Sequence, residues 1–209
     1  MDSVSRVNER MDESTATKEK REQILEGAMQ VFLSQGYAGT SMDRAAAAAG
    51  VSKQTIYSHF QDKEGLFTAL IERVTVQRMR FDVYVESSQS DPAVLLRQLA
   101  DVFLQKMTDE EYLSLFRLVI AESVRFPELA QLYTRTVIQK GQLALSTYFK
   151  AHPELQLADP EAIARIFWGS LVSFLVSQEI LYGKVIIPME KERLVNNLIS
   201  LIVSKAQQE

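Results

Sequence analysis

The sequence predicts an all-α protein, and three observations carry that prediction. Apolar residues recur at spacings of three and four almost everywhere, no stretch sustains the period-two alternation of a half-buried strand, and glycines and prolines fall where helical stretches would end. About nine helices are expected, as a small N-terminal three-helix unit followed by a larger helical bundle.

Residues 1–17 are polar and charged, without the apolar run of a signal peptide, and read as a disordered tail. The first helix is expected from Lys18 to Gln35, with Ile24, Leu25, Ala28, Val31 and Phe32 on one face and Gly36 as its stop. Thr40, three residues ahead of Asp43, resembles a capping box opening a short alanine-rich helix to Ala49. Gly50 turns the chain, and Ser52 caps a second short helix reaching Phe60. Two short helices across a tight glycine turn form a helix-turn-helix unit, here residues 41–60. Asp62 caps a helix whose Leu66, Phe67, Leu70, Ile71 and Val74 seat the preceding three, and which is expected to continue toward Ser87.

After a polar loop, Asp91-Pro92 and Asp159-Pro160 each read as a cap followed by proline at the first helical position. Between them lie helices expected from Pro92 to Met107, from Asp109 to Arg125, and from Glu128 to Ala151, the last ended by His152-Pro153. The helix from Pro160 to Tyr182 is apolar on nearly every side, and a final helix is expected from Met189 to Lys205. Ile163–Tyr182 approaches the length of a membrane span, but Arg165, Gln178 and Glu179 interrupt it, so a buried helix and no membrane partner are expected.

Composition narrows the chemistry. With no cysteine in 209 residues, disulfides, thiolate metal sites and cysteine nucleophiles are excluded. The two histidines, His59 and His152, are far apart and neither has a ligand partner one turn away, so no metal and no cofactor are expected. There is no phosphate-cradling glycine loop and no nucleophile with an evident base, which argues against an enzyme. The net charge of −4 neither favours nor excludes nucleic acid, because segment 18–63 alone is balanced near neutrality.

In the second short helix, Ile56 and Phe60 point inward with Val51, which turns the polar residues outward. Ser52, Lys53, Gln54 and Thr55 open the helix, and the last three are expected to read base edges in a major groove. Tyr57, Ser58, His59 and Lys63 are placed for phosphates, with Thr40 and Ser41 at a helix N-terminus, and Arg44 within reach of backbone or base.

The run Gly50-Val51-Ser52-Lys53-Gln54-Thr55-Ile56-Tyr57-Ser58-His59-Phe60 through Leu66-Phe67, preceded by Ile24-Leu25-Glu26-Gly27-Ala28, Phe32, Gly36-Tyr37 and Thr40-Ser41-Met42, closely resembles the signature of TetR-family regulators. Ala45 departs from it, standing where the family usually places a larger aliphatic, so looser packing of the head is expected there. Arg117–Ser123 followed by Arg125-Phe126-Pro127-Glu128-Leu129 looks like the C-terminal segment of multidrug-efflux regulators of the AcrR type. The resemblance implies a DNA-binding domain over 18–78 and a ligand-binding and dimerisation domain over 79–209. It further implies a cytoplasmic homodimer that binds a palindromic operator on double-stranded DNA and is released by a small hydrophobic effector. A helix-turn-helix activator and a ligand-independent DNA organiser remain alternatives, with an enzyme using the body's cavity the remotest. The expected pocket lining is Phe103, Met107, Phe116, Ile120, Tyr133, Phe167, Trp168 and Leu171. The expected dimer interface is Phe174, Leu175, Leu194, Leu198, Leu201 and Ile202.

Overall fold

The computed structural model describes residues 3–75 and 91–203, with side chains from residue 16 onward, and every regular element among them is helical. The chain divides into two compact units between Leu70 and Ile71.

The first unit contains α1 (Ser3–Gly39), α2 (Met42–Ala48), α3 (Lys53–His59) and the larger part of α4 (Lys63–Val74). Helix α1 begins at Ser3, so the polar segment expected to be disordered up to Thr17 is helical instead. The reason is compositional: no glycine or proline precedes Gly27, and Glu, Arg, Lys and Met favour helix even without an apolar stripe. The helical path breaks at Gly36, whose φ of 70° and ψ of 176° suit only a residue without Cβ. Upstream of the break Ile24, Leu25, Ala28 and Phe32 are fully buried, each such large side chain contributing about 1.5–3 kcal/mol by burial. From α4, Phe67 meets the Phe32 ring edge-on at 4.9 Å and Tyr37 at 5.4 Å, closing the core.

Helix α2 is held unusually near α1. A Cβ built on Gly27 would stand 2.5 Å from the Ala49 nitrogen and 2.8 Å from its Cβ. The Gln23 amide donates to the Ala49 carbonyl at 2.7 Å across the same crossing. Ala45 therefore leaves no looseness: it is fully buried, and the close approach of the backbones takes up the space a larger side chain would fill. Gly50 then turns the chain at φ 63° into Ser52, whose hydroxyl accepts from the Thr55 N–H at 3.0 Å to start α3.

The second unit contains α5 (Pro92–Met107), α6 (Glu110–Glu122), α7 (Pro127–Tyr133), α8 (Gln139–Ala151), α9 (Pro160–Leu175) and α10 (Lys191–Val203). A π-turn over Thr134–Ile138 joins α7 and α8 into one rod, leaving nine helices among the described residues. The caps fall where expected, with Asp91 accepting from Ala93 at 2.7 Å and Asp159 from Glu161 and Ala162 at 3.1 and 3.0 Å. Helix α9 packs against α5, α8 and α10, and its Phe167, Leu171 and Leu175 are fully buried. The segment Pro160–Ile180 is long and apolar enough for a membrane span by composition, with mean hydropathy 1.2, yet one face of it supplies the centre of this bundle.

The last turn of α4 falls in the second unit, ahead of the boundary expected at residue 78. Arg73 pairs there with Glu111 at the start of α6, and Ile71 and Val74 are fully buried. The expected continuation of α4 toward Ser87, the loop to Ser90, and the end of α10 at Lys205 lie outside the described residues.

Substitution Gly27→Ala is expected to lower stability by roughly 1–3 kcal/mol, because the atoms facing the new methyl are backbone and cannot rotate away. Urea unfolding followed by circular dichroism measures this, and the sign is informative, since helix propensity alone would make alanine stabilising.

Candidate nucleic-acid interface and effector cavity

Helix α3 is anchored by Ile56, fully buried, and by Phe60 just beyond its end, so the opposite face is presented outward. Lys53, Gln54, Tyr57 and Ser58 are exposed and Thr55 and His59 half-buried, and Ser52 is engaged as the cap. Lys53 bonds the Asp43 carboxylate of α2 at 3.0 Å, and that partner raises the lysine's pKa above its usual value, keeping the ammonium charged. Both members of the pair are mostly exposed, so it is weak and easily exchanged for a phosphate or base. Tyr57 keeps 45% of its surface open beside Lys53. Outward hydrogen-bonding side chains in the first turn of a helix that follows a tight turn are suited to base edges in a major groove.

Three residues read from the sequence as phosphate contacts are engaged elsewhere. Thr40 is 3% exposed, and its hydroxyl donates to the Gly36 carbonyl at 2.8 Å, so it stabilises the break after α1. The cap of α2 is Ser41, which is exposed and accepts from the Arg44 N–H at 3.3 Å, displacing Thr40 from the capping position expected of it. Arg44 donates to Gln35 Oε1 at 2.6 Å and to the Gly39 carbonyl at 2.5 Å, tying α2 to the end of α1. Lys63 donates to the Tyr37 carbonyl at 3.0 Å with its ammonium 4.2 Å from the Tyr37 ring centre, and so fastens the start of α4 to α1. Sequence spacing located these cations but gave no sign of the carbonyls they meet.

In the second unit, α5 to α9 and Thr75 line a mainly apolar, partly open cavity of about 470 Å³. Phe103, Met107, Phe116, Tyr133 and Trp168, among the side chains named from the sequence, line it. Phe167 and Leu171, also expected there, are fully buried in the bundle centre on another face of α9, and Ile120 is 49% exposed on the outside of α6. The sequence reading missed Tyr112, Val137, Ile138, Gly141 and Val172. Tyr112 precedes Phe116 by one turn, a signal that was available; Val137 and Ile138 enter through the π-turn, which no local signal announces. The hydroxyls of Tyr112 and Tyr133 lie 2.6 Å apart at the wall. Burial pushes the Tyr112 phenol up to about 12 and the Tyr133 phenol well above its usual value, so both are neutral at physiological pH.

Residues 24–70 match the model for the bacterial regulatory proteins of the tetR family, and residues 93–204 match the C-terminal domain of AefR-like transcriptional repressors. The chain belongs to the TetR family. It is 31% identical over 144 residues to the HTH-type transcriptional regulator AcrR of Shigella flexneri, covering 66% of this chain and 64% of that protein's length. The chain thus spans somewhat under two thirds of that relative. Two solved structures share the fold. NalD, described as the secondary repressor of the MexAB-OprM multidrug efflux pump in Pseudomonas aeruginosa, superposes with a TM-score of 0.70 at 22% identity, over 90% of this chain and 98% of NalD. FadR from Bacillus subtilis in complex with stearoyl-CoA gives 0.64 at 18% identity, over 88% and 97%.

The TetR family is one of DNA-binding transcriptional regulators rather than enzymes. Of the side chains read as its dimer interface, Leu175, Leu198 and Ile202 are buried within the single chain, because α9 and α10 pack on each other and on α5 through them. Leu201 is 73% exposed, and Phe174 and Leu194 are half-buried along a shallow groove with Ile166, Gly169 and Ser173. The outward apolar face thus runs through neighbouring positions of the same helices.

Replacing Asp43 by Asn removes a negative charge beside Lys53 and releases the lysine. Duplex affinity measured by fluorescence anisotropy is expected to rise roughly twofold to tenfold at low salt, the gain shrinking as salt increases.

Proposed function

We propose that the protein is a ligand-released repressor that binds a palindromic operator as a homodimer in the cytoplasm, its effector a small hydrophobic molecule. The observation that carries this reading is the mainly apolar cavity whose wall includes Thr75, the residue following α4, while that helix starts in the first unit. A ligand that favours a cavity shape with the end of α4 displaced would disfavour DNA binding by its difference in affinity for the two states. Two further ties connect the last turn of α4 to the cavity. Arg73 pairs with Glu111, the neighbour of Tyr112, and Glu72 lies 3.9 Å from Lys140 at the cavity's edge. The repressors whose C-terminal domain this chain matches and the role of NalD as a repressor support the direction of control, and the stearoyl-CoA in complex with FadR supports a ligand in this fold.

Dimerisation rests on the outward face of α9 and α10. Ile166 at 54% and Leu201 at 73% exposed are apolar surfaces that a second copy would cover. Two heads about 34 Å apart would then meet successive major grooves of a palindrome. Lys53, Gln54 and Thr55 read bases in this account, and Ser41, Tyr57, Ser58 and His59 contact phosphates.

The deciding experiment titrates the protein against duplexes from its own chromosomal locus, then adds effector candidates and measures transcription from the adjoining promoter. Binding that no candidate weakens, or activation of the promoter, overturns the repressor reading. Ile166→Arg is expected to give monomers in sedimentation at micromolar concentration and to lower operator affinity at least tenfold, since a single head lacks the second half-site. Glu111→Gln is expected to leave unliganded operator binding within about threefold but to cut the effector-induced loss of affinity by roughly twofold to thirtyfold, checked by anisotropy with and without effector.

A further inference from the structure

The cavity's polar groups are few enough to specify a ligand class. Thr75 lines it but has committed its hydroxyl to the Ile71 carbonyl at 2.6 Å. Trp168 lines it by its ring, because its indole N–H donates to the Gly141 carbonyl at 3.0 Å. Among the described residues no carboxylate lines the cavity, and the one cation at it, Lys140, is largely open to solvent near Glu72. What remains is the half-buried Gln142 amide and the buried Tyr112–Tyr133 pair. Two phenols in mutual contact use one proton between them, so the accepting hydroxyl keeps its own proton for a further acceptor, and no such acceptor occurs among the described residues. The pair is hemmed by rings, with Phe116 stacked 5.8 Å from Tyr112 and tilted 5.7 Å from Tyr133, while Phe103 and Trp168 lie 5.7 Å apart at the same cavity.

We infer that the effector is an uncharged aromatic molecule carrying a carbonyl or ether oxygen that accepts a hydrogen bond from the Tyr112–Tyr133 pair. The inference rests on the effector-site reading above and sharpens it. Among the described residues a buried cation would find no carboxylate, and a buried anion would find only neutral phenol and amide donors, so either charge would lose hydration with no opposite charge to offset it. An aliphatic chain would fill the space but lose the ring-on-ring contacts that four or more aromatic walls supply. A flat ring system with one acceptor matches both the walls and the spare proton.

Trp168 is the protein's sole tryptophan, so its fluorescence reports occupancy of this cavity directly. The full-length protein would be titrated with 2-acetylnaphthalene, naphthalene, 2-naphthoate and 1-decanol, with calorimetry to confirm each dissociation constant. The expected order is 2-acetylnaphthalene tightest, naphthalene weaker by roughly threefold to tenfold, the value of one hydrogen bond, and the other two weaker still. In the double variant Tyr112→Phe/Tyr133→Phe, which takes both phenolic protons from the wall, the advantage of 2-acetylnaphthalene over naphthalene should vanish, whereas either single variant leaves one phenol able to donate and should keep it. Naphthalene affinity should stay unchanged, and that also certifies that each variant is folded. Tighter binding of 2-naphthoate or 1-decanol, loss of both naphthalene ligands together in the variants, or no saturable response to any probe overturns the inference. Adding saturating 2-acetylnaphthalene to the operator complex separates the two readings. The predicted order of binding without DNA release refutes ligand release and leaves the ligand class standing. DNA release by 1-decanol, with the naphthalenes not binding, does the reverse.

Discussion

The head depends on how near α1 comes to the turn behind α2. At that crossing Gly27 faces the Ala49 backbone with no room for a methyl group, Gln23 bonds the Ala49 carbonyl, and Gly50 takes a left-handed conformation that sends the chain into α3. Widening the crossing by one carbon would move α2 outward and change the angle at which α3 leaves it, and with that angle the direction of Lys53 and Tyr57. The alanines of α2 are therefore a geometric requirement: Ala45, Ala46 and Ala49 are all buried, and their shortness lets two helices touch by backbone.

Much of this was legible in the residues. The stop at Gly36, the caps at Ser52, Asp91 and Asp159 and the buried side of α3 follow from local chemistry that neighbours do not override. The segment before Lys18 misled because polarity was taken as disorder, although nothing there interrupts a helix. Thr40 misled because two adjacent hydroxyl residues compete for one cap, and only the position of the Gly36 carbonyl decides between them.

The cavity was half legible for a different reason. Aromatic residues in a helical bundle announce burial, and burial alone does not say which face of a helix meets empty space. Phe167 and Trp168 are neighbours in sequence, yet one closes the centre and the other lines the hollow. Leu198 and Leu201 divide in the same way, one packed inside its own chain and the other left at the surface. Such choices depend on the rotation of each helix about its axis, which long-range packing sets.

The π-turn at Thr134–Ile138 gives the cavity wall an unusual kind of adjustability. One extra residue in a helical turn re-phases everything after it by about 100°, the angle between successive side chains. Val137, Ile138 and the stretch from Lys140 to Ala144 border the hollow in the present phase. Loss of a single codon in this stretch would roll the strip away and present a different set of side chains, with no change in the sequence of any other helix. Ligand preference in such a scaffold can therefore jump by insertion and deletion, a route that leaves the rest of the bundle's sequence untouched.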